Sequence, residues 1–288
     1  MKTALIDVGG GMQAAFAAGV LARLQQDHVH FDICIGVSAG SGNIVNFLNG
    51  DAQKSYEFYL DSESREKYFN WTNLLKTGSY IDLDAVYADD ESLKRAAHGD
   101  SELVIVATNA LSGDPAFFMR DMIDKYGSEV LKASSSLPPA CRPVLIGNIP
   151  YMDGGVADLV PVQKALDMGA ERIVLLSTNP MEPADDPDSY ELAARLYGHK
   201  YPGAAKALRE NGQRYNEAVR LVQQLEAEGK LLSLHADDTY GVDALTKASD
   251  GIEKLFMQGY EKGRAVKDFL GMAQQPMWKR LLAENLLK

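Results

Sequence analysis

Short apolar runs alternate with helical spacing through the first fifty residues. The run Thr3-Ala4-Leu5-Ile6-Asp7-Val8 ends in Gly9-Gly10-Gly11, as a strand entering a tight loop does. Over 12–24 the apolar residues Phe16, Val20, Leu21 and Leu24 fall at helical spacing, with alanines filling the gaps. Phe31-Asp32-Ile33-Cys34-Ile35-Gly36-Val37 reads as a second strand. Ser38 then opens a small-residue helix through Ile44, Val45, Phe47 and Leu48. Strand, helix, strand, helix in this order predicts a βαβ unit, and with it a parallel sheet covered by helices.

Residues 51–100 are polar and aromatic, with Tyr56, Tyr59, Tyr68, Trp71 and Tyr80, and predict helices and loops over one end of the sheet. A strand returns at 103–108. Ser134-Ser135-Ser136-Leu137-Pro138-Pro139 marks a turn-rich stretch, and 144–152 reads as a hairpin around Gly147-Asn148. A helix over 162–168 precedes a strand over 172–177. Beyond Pro183 the pattern changes. Asp185-Asp186-Pro187-Asp188 reads as a loop, and the remainder is mainly helical, with 231–234 its one strand-like run. This places an α/β domain at 1–183 and a helical extension at 184–288.

Charge and cysteine usage narrow the function. The 288 residues carry 29 basic and 40 acidic side chains, a formal net charge of −11. Such a balance argues against nucleic acid, which needs concentrated Lys and Arg, and against tight docking on anionic membranes. It leaves lipids open as substrates. Cys34 and Cys141 are too few for a disulfide framework and read as buried free thiols in a reducing compartment. Asp7 and the three glycines interrupt any signal-peptide core, and no run approaches the ~20 apolar residues of a membrane span, so a cytoplasmic protein is expected.

Three short motifs carry candidate chemistry. Gly36-Val37-Ser38-Ala39-Gly40 is a G-x-S-x-G pattern between a strand and a helix, where a serine hydroxyl is held clear of the backbone at a positive helix end. The bland alternative is a structural turn with a capping serine. Gly9, Gly10 and Gly11 expose backbone N–H groups suited to an oxyanion, or simply form a flexible turn. Neither nucleotide-binding glycine fingerprint is present. A nucleophilic serine needs a base. His28, His30, His98, His199 and His235 fall in turns, polar stretches or the helical extension, and none ends a strand of the expected sheet. Asp153, in Met152-Asp153-Gly154-Gly155, follows an apolar run and is the alternative base. Its own bland reading is an Asp-Gly turn. No clustered metal ligands are visible, so no metal or cofactor is expected.

These motifs, in this order, resemble the patatin-like phospholipase family, over residues 3 to about 180. The resemblance is closest to bacterial members with a helical C-terminal extension. Ala133 to Pro139 and Val156 to Val162 resemble the segments before and after the family's aspartate. The resemblance implies a three-layer α/β/α fold with a mainly parallel sheet, Ser38 as nucleophile and Asp153 as its only partner. Gly9, Gly10 and Gly11 would form the oxyanion hole, with Gly36, Gly40, Gly154 and Gly155 supporting the turns. The implied activity is hydrolysis of acyl esters, with phospholipids, lysophospholipids or other fatty-acyl esters as substrates and at most transient membrane contact. Soluble lysolipids or short esters fit the acidic charge best, and the aromatic stretch 51–100 is a candidate acyl-chain site. Gln13 and Ala14 stand where the family usually has a basic residue and Gly, and a positive φ at Ala14 would be strained. That departure motivates a second reading, a weakly active lipid-binding protein. Acyl transfer through the same acyl-serine is a third.

Overall fold

The computed structural model describes residues 1–184, 191–246 and 249–272. The Asp185–Asp188 loop expected from sequence lies outside them. Eight strands form one sheet: β1 (Thr3–Asp7), β2 (Ile33–Val37), β3 (Glu102–Asn109), β4 (Pro115–Phe118), β5 (Val144–Ile146), β6 (Ile149–Asp153), β7 (Arg172–Leu176) and β8 (Leu231–Leu234). Hydrogen-bonded neighbours run β5-β6-β3-β2-β1-β7-β8, with β4 also on β3. The pairs β3-β2, β2-β1, β1-β7 and β7-β8 are parallel, and those involving β4, β5 and β6 are antiparallel.

Alternate residues of the central strands feed two separate cores, as the period-2 geometry of a strand requires. Leu5, Cys34, Ile105 and Val174 face a core built with α1 (Ala15–Gln26) and α2 (Ala39–Leu48). Ala4, Ile6, Ile33, Ile35, Val104 and Leu175 face the other, built with Val162, Val222 and Leu225. Helices therefore cover both faces, and the fold is mixed α/β with a mainly parallel central sheet. The helix expected over 12–24 starts later, at Ala15, because a 3₁₀ turn over Gly11–Ala14 precedes it. β4 was missed from sequence: its four residues are too few to show a period.

The C-terminal part is mainly helical and is built into this body. Its strand β8 lies beside β7 and lengthens the sheet. Helix Ser249–Lys262 crosses α1 at backbone contact, and a Cβ on Gly19 or Gly259 would fall 1.9 Å from a carbonyl of the facing helix. Both cysteines are buried free thiols, with burial pushing Cys141 up to about 11. Among the described residues no helix is long and apolar enough to cross a membrane.

Candidate active site

Sheet register brings the two candidate residues together from 115 positions apart in the chain. On β3, Val106 pairs with Val37 and also with Phe117 of β4, while Ala107 pairs with Asp153 and with Ala116 of β4. Since β4 takes one edge of β3, β2 and β6 must share the other. β6 thus occupies the edge that β2 leaves at Ser38, and its last residue, Asp153, arrives beside the Ser38 turn. The approach is tight. A Cβ on Gly154 would lie 2.4 Å from the Val106 carbonyl and 3.1 Å from Val37 Cγ1.

Ser38 sits at the N-terminus of α2 with φ 53° and ψ −132°, a conformation that costs on the order of 1–3 kcal/mol for a non-glycine residue. Its side chain makes no capping bond, so the capping-serine alternative does not hold. The turn closes because Gly36 and Gly40 have no side chains. A Cβ on Gly36 would meet Ser41 Cα at 2.4 Å, and one on Gly40 would meet the Asp7 carbonyl at 2.4 Å. Ser38 N–H donates to Ser134 Oγ at 3.0 Å, and Asp153 N–H donates to the Ser136 carbonyl at 3.0 Å. One serine-rich turn therefore holds the backbones of both residues.

Asp153 is buried and has two unlike carboxylate oxygens. Oδ1 accepts from Gly155 N–H at 2.9 Å, the Asp-Gly turn that the sequence offered as the bland alternative. Oδ2 is buried without a hydrogen-bond partner among the described residues. Burial raises the carboxyl to about 6, and the Ser38 hydroxyl and Gly155 N–H partly offset the rise. The hydroxyl that favours the charged form is thus that of Ser38. Leaving a buried carboxylate oxygen unsatisfied costs free energy, and such a group beside a serine hydroxyl marks a candidate for proton transfer.

The glycine loop lies against the same turn. A Cβ on Gly9 would fall 3.1 Å from Ala39 N and 3.0 Å from Gly40 N. Gly9 itself is not available as an oxyanion donor, because its N–H is bonded to Asp7 Oδ1 at 2.9 Å. The N–H groups of Gly10 and Gly11 donate to no acceptor among the described residues, and Gly11 and Ala39 line the cavity at Ser38. Asp7 was not among the sequence-derived candidates. It is fully buried, and its Oδ2 accepts from Asn43 Nδ2 at 3.0 Å. Asn43 in turn accepts from the Tyr59 hydroxyl at 3.2 Å. The available signal was a lone acid inside an otherwise apolar, doubly covered strand, which seldom persists without partners.

Gln13 and Ala14 do not disturb the loop. Ala14 has φ −65°, so the strain expected of a positive φ is absent. Gln13 Nε2 donates to the Val242 carbonyl at 3.0 Å, and Met12 N–H to the Ala244 carbonyl at 3.1 Å. A C-terminal segment therefore fastens the glycine loop, through contacts 229 and 232 residues apart that no local pattern reveals.

Ser38 opens on a cavity of about 260 Å³ with predominantly apolar walls. One face of α2 forms its floor from Ser38 through Gly42 to Asn46, about 12 Å of helix at 1.5 Å per residue. The segment 51–100 supplies Phe58, Tyr59, Phe69, Ile81 and Tyr87. Of the aromatics singled out from sequence, Tyr59 reaches the wall, whereas Tyr56, Tyr68, Trp71 and Tyr80 do not. Leu137, Ala244 and Leu245 complete the lining beside the reactive end.

No histidine replaces Asp153 here. His30 and Ser101 are 3.3 Å apart at the opposite strand ends, and His98 pairs with Asp124 on the surface. One expectation needs correction: His235 does follow a sheet strand, β8. It lies three strands from β2, roughly 14 Å at 4.8 Å per strand, and so is out of reach of Ser38.

Fold and site together define an α/β protein with a serine elbow, a buried aspartate and an apolar cavity. A family model for patatin-like phospholipases matches residues 8–166, and a domain of unknown function (DUF6363) matches residues 201–271. The chain belongs to the patatin-like phospholipase family, a family of lipid acyl hydrolases. It is similar to the uncharacterized protein YjjU of Escherichia coli, with 26% identity over 207 residues. That match spans 68% of this chain and 57% of the length of YjjU. The solved structure of VipD from Legionella pneumophila superposes with a TM-score of 0.53 at 12% identity, over 93% of this chain and 67% of VipD. This second likeness is one of fold.

Proposed function

We propose that the protein is a serine acyl-ester hydrolase using a Ser38-Asp153 dyad. The observation that carries the reading is a buried Asp153 carboxylate, with one oxygen lacking a partner among the described residues, that the hydroxyl of a strained Ser38 at the wall of an apolar cavity helps to keep charged. Ser38 Oγ attacks the ester carbonyl carbon while Asp153 Oδ2 accepts its proton. The carbonyl oxygen becomes an oxyanion, met by the N–H groups of Gly10 and Gly11 and by Ala39 N–H at the helix end. The intermediate collapses, and the leaving alkoxide takes the proton back from Asp153. Water then attacks the acyl-serine with Asp153 again as base, releasing the carboxylic acid and free Ser38.

A carboxyl near 6 is a better base for this work than an ordinary aspartate, and it is ionised at neutral pH. The cavity favours fatty-acyl esters, with the chain along α2 and the aromatic wall of 51–100 around it. Soluble lysophospholipids or short-chain esters are the first substrates to try. The test is fluorophosphonate labelling with p-nitrophenyl acyl esters as reporters. Wild-type protein should take up the probe and turn over ester, and Ser38→Ala should do neither. Ester turnover that survives Ser38→Ala, or wild type that takes up no probe, would remove the dyad reading.

A further inference from the structure

The chain is acidic as a whole, but one exposed part of it is not. Residues 67–80 contain Lys67 and Lys76 and no acidic side chain, although Glu57, Asp61, Glu63 and Glu66 precede them and Asp82, Asp84, Asp89 and Asp90 follow. The chain makes an excursion here. Its base is closed by the Phe69–Ile81 bridge and by Asn70 N–H on the Tyr80 carbonyl at 3.2 Å. Its tip is the helix Trp71–Thr77. Trp71 and Leu75, one turn apart on the same face, are 71% and 88% exposed. Arg142 joins the group from the β5 side. Its N–H donates to Ser79 Oγ at 3.0 Å, and its guanidinium packs on Gly78. Lys67, Lys76 and Arg142 are all exposed, and none pairs with a carboxylate among the described residues.

We propose that this tip is a docking surface for an anionic lipid–water interface. Three features select that occupant. Tryptophan with a neighbouring leucine is suited to the headgroup boundary, where an apolar body and a polar edge are both accommodated. Lys67, Lys76 and Arg142 lie on or beside the excursion, while Glu66 and Asp82 adjoin only its base. Surface charges act over about 10 Å at ordinary salt, so the tip presents a locally cationic face on a chain of net charge −11. Phe69 and Ile81, at the base of the excursion, also line the cavity that contains Ser38. A lipid surface under Trp71 and Leu75 is thereby adjacent to the wall of that cavity. Total charge predicts poor attraction to anionic surfaces, and the proposed face is a local exception to it. The surface stands apart from the dyad chemistry, and the test separates them.

Trp71 and Trp278 are the two tryptophans of the chain, so Trp278→Phe makes Trp71 the sole reporter. On adding phosphatidylglycerol-containing vesicles, its emission should shift to the blue and be quenched by brominated acyl chains. Pure phosphatidylcholine vesicles should bind more weakly, and added salt should reduce the difference. Lys67→Gln and Lys76→Gln should each weaken binding to anionic vesicles about fivefold. Trp71→Ser with Leu75→Ser should weaken vesicle co-sedimentation roughly tenfold or more while leaving the thermal unfolding midpoint unchanged. Ser38→Ala should bind vesicles as wild type does, so a failed dyad leaves the docking result standing. No shift with either vesicle overturns the proposal and leaves the tip to a protein partner. So does emission already blue without vesicles, or binding that survives the double serine variant.

Discussion

Two buried carboxyls stand near the Ser38 turn, and they are alike in nearly every respect but one. Asp7 ends β1 and Asp153 ends β6; both are buried, and burial raises both to about 6. Asp7 has a donor on each oxygen, Gly9 N–H and Asn43 Nδ2. Asp153 has a donor on Oδ1, its Oδ2 is buried with no hydrogen-bond partner among the described residues, and the Ser38 hydroxyl is near enough to favour the charged form. A raised carboxyl therefore does not by itself nominate a base. The free lone pair does. Asp7 is read as a positioning residue that fixes the glycine loop to α2, and Asp153 as the proton acceptor.

The comparison breaks most sharply at Asp153. Asp153→Asn should lower ester turnover by ~10²–10⁴, the usual contribution of a general base. The amide can still accept from Gly155 and can donate toward Ser38, so thermal stability at pH 8 should be unchanged or higher. A variant that loses its fold instead would make Asp153 structural. Asp7→Asn should do the reverse. An amide offers one acceptor where two donors point, so chemical denaturation at a common pH should show Asp7→Asn about 1–3 kcal/mol less stable than Asp153→Asn, which sheds the same cost of burying a carboxylate. Turnover should fall only about tenfold, in kcat and not KM, because the loop that carries the oxyanion donors loosens without losing them.

Acid titration sharpens the same contrast. Both carboxyls sit higher folded than unfolded, so between about pH 4 and 6 the folded chain holds protons that the unfolded chain has released. Their contribution to stability is present at low pH and lost as pH rises through about 6. Asp153→Asn removes one such cost, and its stability relative to wild type should grow by about 3 kcal/mol from pH 4 to 7. Turnover runs the other way. The acid limb of kcat/KM should lie near pH 6, since the base must be ionised. The smallest effect belongs to Tyr59→Phe, which removes only the outermost bond of the Asp7 network. Equilibrium unfolding should show about 1 kcal/mol lost, with turnover changed less than twofold.

Much of the site was legible because its demands are local. A serine at a strand-to-helix turn needs Gly36 and Gly40 beside it, and that need is written within five consecutive residues. Asp153 was legible through the two glycines that let it reach the turn. Asp7 was not, because a buried acid in a strand has meaning only through Asn43 and Gly9, and the helix carrying Asn43 gives no sign of facing it. Gln13 looked like a defect because its partners, Val242 and Thr178, are distant in the chain, and Ala14 because its ordinary negative φ cannot be read from the sequence.

By itself the sequence determined the βαβ start, the serine elbow, the glycine loop and the Asp-Gly-Gly turn, since each depends on backbone freedom and side-chain size over a few neighbouring residues. Tertiary structure alone decided which glycine N–H groups are free, which carboxylate oxygen lacks a partner, and where Trp71 and its three cations stand. It also placed β8 at the sheet and Ala244 at the loop. Those outcomes depend on strand register and long-range packing, where a shift of one residue would exchange one face, and one partner, for another.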